Sequence, residues 1–492
     1  MSLRSGLARR SVGAGSLWFF AVSASAPMTV LVGGQVTTFA TTGVVGVPLS
    51  YVLLAVALWL LTVGYVGMGR YVAHAAPFFA LLTHGLGRAW GVAGGLVALV
   101  GYNAVQIALY GLMGATLAAD LGGPWWAWAA LVGSAIALLG ILRVDISAGL
   151  IAGLLVLEIT VIVLFDVAAF THPAAGSISV APMMPDRLFV GDVGGVFALS
   201  IAGFLGYESG PAYGEEARSD RAVGRATLAA LGVIGPFYCV SAWALAVAAG
   251  VDHIKDTAGA ANEPFTVLAN SFGPFGPLVA WLGQVLLVTS IFAAILSFHG
   301  TGARYTFGLA RERLLPALLA RTGRSSGSRR DAPIGGSVVQ TLLAAVVVAV
   351  FAAVHADPVA TLFTWLAALG ALAVLALLVV ASGAAWRWFR HGGGRHEGRW
   401  TRQVAPIAGI LAGSTVLVVM ALRMHTLLGA PAASVATIAV IPGIVAVVGV
   451  AGLCWSGILR MRRPDVYDGI GQGRPHPLAM PDKRLADTRF GR

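Results

Sequence analysis

The chain has 492 residues, of which 58% are hydrophobic and only 11% charged, against about 25% charged in ordinary soluble chains. So few charges cannot cover a water-soluble body of this size, and lipid is the solvent the composition fits. A net charge of +11 could suggest nucleic acid, but the positions of the charges exclude that partner.

Twelve apolar segments long enough to cross a bilayer, roughly 20 residues each, lie near 16–42, 47–69, 90–119, 125–142, 146–170, 193–213, 227–250, 275–303, 335–355, 358–386, 404–424 and 433–459. With the N-terminus in the cytoplasm the connections alternate sides. Of the 32 Lys and Arg, only Arg187, Lys255 and Arg423 then fall outside, which is the positive-inside rule kept along the whole chain. The expectation is an all-α polytopic membrane protein with twelve spans and both termini cytoplasmic. Arg9-Arg10 followed by an apolar stretch and Ala21–Ala26 imitates a cleavable signal. The apolar run continues to Ala40, however, so these residues read as span one.

Spans one and six are interrupted. The first contains Ser25, Ala26, Pro27, Met28, Thr29 and the pair Gly33-Gly34, a poor continuous helix. The sixth contains Ala202, Gly203, Phe204, Gly206 and Tyr207, with the acid Glu208 and then Pro211. The two lie five spans apart, as inverted repeats of spans 1–5 and 6–10 would place them. The units are then a cytoplasmic N-terminus 1–15, a first repeat 16–170, a second repeat 193–386, spans eleven and twelve at 404–459, and a tail 460–492. Paired breaks in two halves point to a transporter's central site. A broken helix offers free N–H groups at one end and free carbonyls at the other, and these suit a zwitterion. Pro/Gly kinks that only aid packing are the other reading.

Ionisable groups inside spans cost roughly 2.5–3.5 kcal/mol on insertion scales, so each needs an account. Glu208 reads as a cap for loose N–H groups, a proton carrier, or a substrate contact. Glu158, midway along span five among apolar neighbours, reads as a proton carrier or a hydrogen-bonded structural acid. In span three Asn103, Gln106 and Tyr110 share one helical face, which suits either a substrate path or hydrogen bonds between helices. Thr289, Ser290 and Ser297 in span eight are further candidates for the same cavity, or simply satisfied hydroxyls. His299 near Arg304 reads as packing before gating. Cys239 and Cys454 sit in apolar runs with no disulfide or metal-ligand spacing. No phosphate loop, zinc helix or nucleophile elbow occurs in the sequence, so neither an enzyme nor a cofactor is expected. The tail from Arg460 reads as disordered, solvated or resting on anionic lipid.

Three stretches resemble the amino acid–polyamine–organocation (APC) superfamily. They are Ala26 to Gly34 in span one, Gly206-Tyr207-Glu208-Ser209 with Glu215-Glu216-Ala217-Arg218, and Ala303 to Pro316. The prolines usual after the Glu-Glu turn are missing here, while Arg225-Ala226 is kept. The likeness covers spans one to ten. It implies a five-plus-five inverted-repeat fold with alternating access and a substrate between spans one, three, six, eight and ten. Ser25 to Thr29 with Gly33-Gly34 would meet the substrate carboxylate, Ala202 to Gly206 its ammonium, and Phe204 would act as a gate. The implied activity is proton-coupled import of an amino acid through a cell membrane. Transport of a polyamine, exchange, or a transporter-shaped sensor are the alternatives.

Overall fold

The structure is a computed structural model that describes residues 12–142, 148–251, 253–254, 263–322, 333–424 and 435–472. Lys255 and the connection Arg143–Ser147 lie outside the described residues. The fold is all-helical. The described residues hold no strand, only an isolated bridge between Val12 and Ala217. Among them 10 helices are long and apolar enough to cross a membrane. The other two expected spans are Trp125–Leu142, of 18 residues, and the interrupted stretch 193–213, whose helical part Val193–Ala202 has 10.

Apolar length alone places most spans. Span two is Val47–Gly69 and span three Arg88–Leu121. Span eight, expected to end near 303, continues to Arg311, because the carboxylates of Glu216 and Glu215 meet the arginines that interrupt its apolar run. A helix that length-based reading passes over, Pro77–Leu86, is too short to cross. It lies buried against spans three and ten. The segment after span seven carries the helix Glu263–Ser271, with Phe265 and Leu268 buried.

The tail departs from the expectation of disorder in its first part. Pro464–Gly469 is helical and is anchored by Val466 and Ile470, both buried. Asp468 pairs with Arg88 at 2.9 Å, and the Gly471 N–H donates to Glu312 Oε2 at 2.6 Å. Composition missed this because two apolar residues and a few specific pairs suffice to dock so short a piece.

The bundle turns apolar side chains outward as well as inward. Leu342, Leu411 and Val447 are 61%, 67% and 68% exposed, a distribution suited to lipid and costly in water. Inside, the two broken spans touch. Gly206 has φ +106°, and a Cβ there would lie 2.7 Å from the Ala24 carbonyl carbon, so only glycine lets the two interruptions nest. Gly206→Val is therefore expected to lower the melting temperature in detergent, with about 1–3 kcal/mol from backbone strain alone and more from the clash. Melting at the natural temperature would show that span six does not turn in this way.

Candidate substrate site

The first helix of span one, Ala14–Ala24, ends at Ser25. Ala26 then takes the left-handed conformation, φ 48° and ψ 71°, rare for a residue with a Cβ. Pro27 disfavours right-handed helical geometry in the residue before it, which helps end the first helix here. Pro27 opens the next helical turn and has no N–H to leave unpaired. Met28 N–H is thus the first free donor, and Glu158 Oε1 of span five (Ala148–Thr171) accepts it at 2.5 Å. Ser290 Oγ of span eight donates to the same oxygen at 2.7 Å, and Thr29 Oγ1 donates to Ser290 Oγ at 3.3 Å. The helix then widens to a π-helix over Val30–Gln35, which holds Gly33 and Gly34.

The carbonyl side of this break is held from span seven (Asp220–Ala249). Tyr238 OH donates to the Ser25 carbonyl and its Oγ, each at 3.1 Å. Gln35 Nε2 in turn donates to the Tyr238 carbonyl at 2.9 Å.

In span six, Val193–Ala202 unwinds through residues 203–206 and resumes as a 3-10 helix, Tyr207–Tyr213. Glu208 is fully buried. Its Oε2 accepts the Gly206 N–H at 2.9 Å, while Oε1 has no hydrogen-bond partner among the described residues. Each interruption thus has a buried carboxylate on one of its free N–H groups.

A cavity of about 70 Å³ lies between the breaks. Its lining takes Ser25, Ala26, Thr29 and Gly34 from span one, and Ala202 and Gly203 from span six. Val105, Ala108 and Leu109 of span three, Phe298 of span eight and Thr364 of span ten also line it. By the usual allowance of at least ~10–15 Å³ per water, it has room for several waters or a small solute.

Other sequence candidates lie elsewhere. Pro27, Met28 and Gly33 are outside the lining. Phe204 packs on Tyr51 and Tyr238, ring centroids 5.8 and 5.9 Å apart. Tyr207 OH bonds Thr62 Oγ1 at 2.9 Å, and Gly206 lies against Ala24. Asn103 Nδ2 donates to the Leu99 carbonyl of its own helix. Gln106 joins a network between helices: its Nε2 lies 3.1 Å from His299 Nδ1, and Gln340 Nε2 donates to its Oε1 at 2.7 Å. The polar stripe of span three is polar because it meets these partners, and the apolar face beside it lines the cavity. Tyr238 escaped the sequence reading, and its only signal was a phenol in mid-span.

One end of the bundle is sealed by charge. Glu215 pairs with Arg311 through two contacts, 2.7 and 3.0 Å, and Glu216 with Arg304 through 2.7 and 3.3 Å. Arg304 lies over the Tyr213 ring at 4.1 Å. The Val12 N–H donates to the Glu216 carbonyl at 3.1 Å, bringing in the segment before span one. Burial works against ionisation of Glu215, but Arg311, His74 and the Ala75 N–H together hold the carboxyl below its ordinary value. The cavity lies beyond the breaks from this seal, towards Thr37 and Leu199.

Two interrupted helices around a small chamber, with ion pairs across one end of the bundle, define a membrane transporter in architecture. Residues 16–450 match the amino acid permease family, and the chain belongs to that family, within the APC superfamily; it is a transporter and not an enzyme. In solved structures the fold recurs in a manganese transporter of Eremococcus coleocola bound to an aromatic bis-isothiourea compound. That likeness has a TM-score of 0.57 at 13% identity and covers 92% of this chain and 94% of that one. Two variants of the same transporter each give a TM-score of 0.56 and 90% coverage of this chain and 94% of theirs, at 14% and 15% identity. No curated protein sequence matches significantly.

Tyr238→Phe strips the Ser25 carbonyl of its donor in a buried site, a loss of about 1–3 kcal/mol. Substrate binding measured by calorimetry is expected to weaken at least about fivefold, which is about 1 kcal/mol. Unchanged binding would mean that the phenol does not hold the break in its binding shape.

Proposed function

We propose that the protein is a secondary active transporter that imports a small neutral amino acid across the cytoplasmic membrane, driven by protons. The observation that carries this reading is the cavity between the two breaks, bordered by Ser25, Ala26, Thr29, Ala202 and Gly203. Main-chain dipoles there suit both ends of a zwitterion, and a cavity of about 70 Å³ suits an alanine- or serine-sized solute. Its lining holds no carboxylate, which disfavours a polyamine. It disfavours a divalent ion as well, since such ions need several oxygen or nitrogen ligands. Among the described residues no three His, Cys, Asp or Glu come together in a way that could hold a metal.

Glu158 suggests how protons enter. Its carboxylate takes the Met28 N–H, in the same turn as Ala26 and Thr29, which line the cavity. An ionised Glu158 places negative charge beside the site and disfavours the substrate's carboxylate. A protonated one removes that charge and loosens its hold on Met28. Proton and amino acid then bind together and leave together, which is the logic of symport. Glu208, on the other break, is the second candidate carrier. The Glu215–Arg311 and Glu216–Arg304 pairs must part for release at that end, which this reading places in the cytoplasm together with both termini.

In proteoliposomes, an inward proton gradient is expected to accumulate alanine or serine. Glu158→Gln and Glu208→Gln should each cut gradient-driven uptake by more than about tenfold, a loss of about 1.4 kcal/mol, while exchange falls less. Equal loss of uptake and exchange would assign both acids to capping alone. Binding without accumulation in the natural chain would point to a sensor.

A further inference from the structure

The sealed end of the bundle carries a second feature that substrate handling does not use. Arg218, Arg221 and Arg225, around the turn from span six to span seven, are all exposed. So are Arg387 and Arg390, in the last turn of span ten (Thr364–Arg390), and Arg395 and Arg399 in the connection to span eleven. None of these seven side chains is in an ion pair among the described residues. The acids nearby are engaged: Glu215 and Glu216 hold span eight, and Glu397 takes Arg70 at 2.8 Å. The stretch has one further acid, Asp220. Positive charge is therefore in large excess.

The two groups form one surface. Arg70 links them, since its guanidinium binds Glu397 on one side and its Nε lies beside Gly224, 3.9 Å from where a Cβ would stand, on the other. Next to it, Tyr71 donates to Glu397 at 3.3 Å and lies against the Trp388 ring, centroids 5.3 Å apart. Aromatic side chains border the arginines as at a membrane interface. Arg390 lies over the Trp386 ring at 5.1 Å, and Trp400 is 48% exposed. These helix ends stand where the spans leave the hydrocarbon, at headgroup depth.

We infer that this arginine surface binds anionic phospholipid headgroups of the adjoining leaflet. Every exposed cation is an arginine, whose planar fork grips phosphate oxygens in pairs and is weakly hydrated, unlike a lysine. The ligand is fixed in place by the membrane, so each contact adds to those beside it. The surface abuts the seal, because Arg218 N–H donates to the Val12 carbonyl at 2.9 Å. Headgroups bound there hold the closed end of the bundle together. This inference depends on the chain's residence in a membrane and not on which solute it carries.

The test uses the full chain reconstituted in vesicles of equal phosphatidylglycerol and phosphatidylcholine, then released in mild detergent, with retained lipids counted by native mass spectrometry. Phosphatidylglycerol is expected to be enriched over its bulk share. Combined Arg387→Gln, Arg390→Gln, Arg395→Gln and Arg399→Gln should bring retention back towards the bulk ratio, since each arginine removed weakens headgroup binding about fivefold. Added inorganic phosphate should leave it in place. Retention in the bulk ratio, enrichment that survives the four substitutions, or full displacement by inorganic phosphate would each overturn the assignment. Should the variant fail to fold, a salt titration of the natural chain decides. Enrichment should vanish by about 1 M salt, where the screening length is about 3 Å, and persistence there sinks the proposal.

Discussion

A main-chain N–H or carbonyl without a partner is costly inside hydrocarbon, and this constraint organises the centre of the molecule. Pro27 and Gly206 stand where two helices break inside the bundle, which frees polar groups in a buried setting. The bundle meets them with side chains drawn from far along the sequence. Glu158 reaches Met28 from span five, Tyr238 reaches Ser25 from span seven, and Glu208 turns back on Gly206. Ser25, Ala26, Ala202 and Gly203 of the two breaks border the cavity.

Those partners make the site conditional. Met28 N–H, Glu158 and Ser290 belong to three different spans joined through one carboxylate oxygen. Any event that changes the charge of that carboxylate alters the tie among spans one, five and eight. At the opposite level, Arg304 and Arg311 fasten span eight to the turn after span six. Span eight therefore touches both the chamber and the closed end, as an element that couples binding to opening must. The tail segment extends this lower tie, since Glu312 accepts from Gly471 and lies 3.0 Å from His74 Nε2.

Sequence carried much of this architecture because lipid imposes a simple rule on length and apolarity. It also carried the interruptions, since Pro27, Gly203 and Gly206 are local breakers whose effect needs no knowledge of the fold. It failed where faces had to be chosen. Asn103, Gln106 and Tyr110 lie on one face of span three, yet periodicity cannot say whether a polar face meets a cavity or a neighbouring helix. The answer lies in His299 and Gln340, more than a hundred residues away. Phe204, expected as a gate, packs on Tyr51 and Tyr238, partners that its local sequence does not reveal. The docking of Pro464–Gly469 was hidden for a related reason, because Asp468 and Gly471 gain meaning only from Arg88 and Glu312.

Hydrogen exchange of the full chain in lipid nanodiscs, followed by mass spectrometry over residues 23–29 and 202–208, tests the two interruptions most directly. The account predicts faster exchange there than in the helices on either side, and slowing of both stretches together when a transported amino acid is added. Protection equal to that of an unbroken span, unmoved by any amino acid, would contradict it.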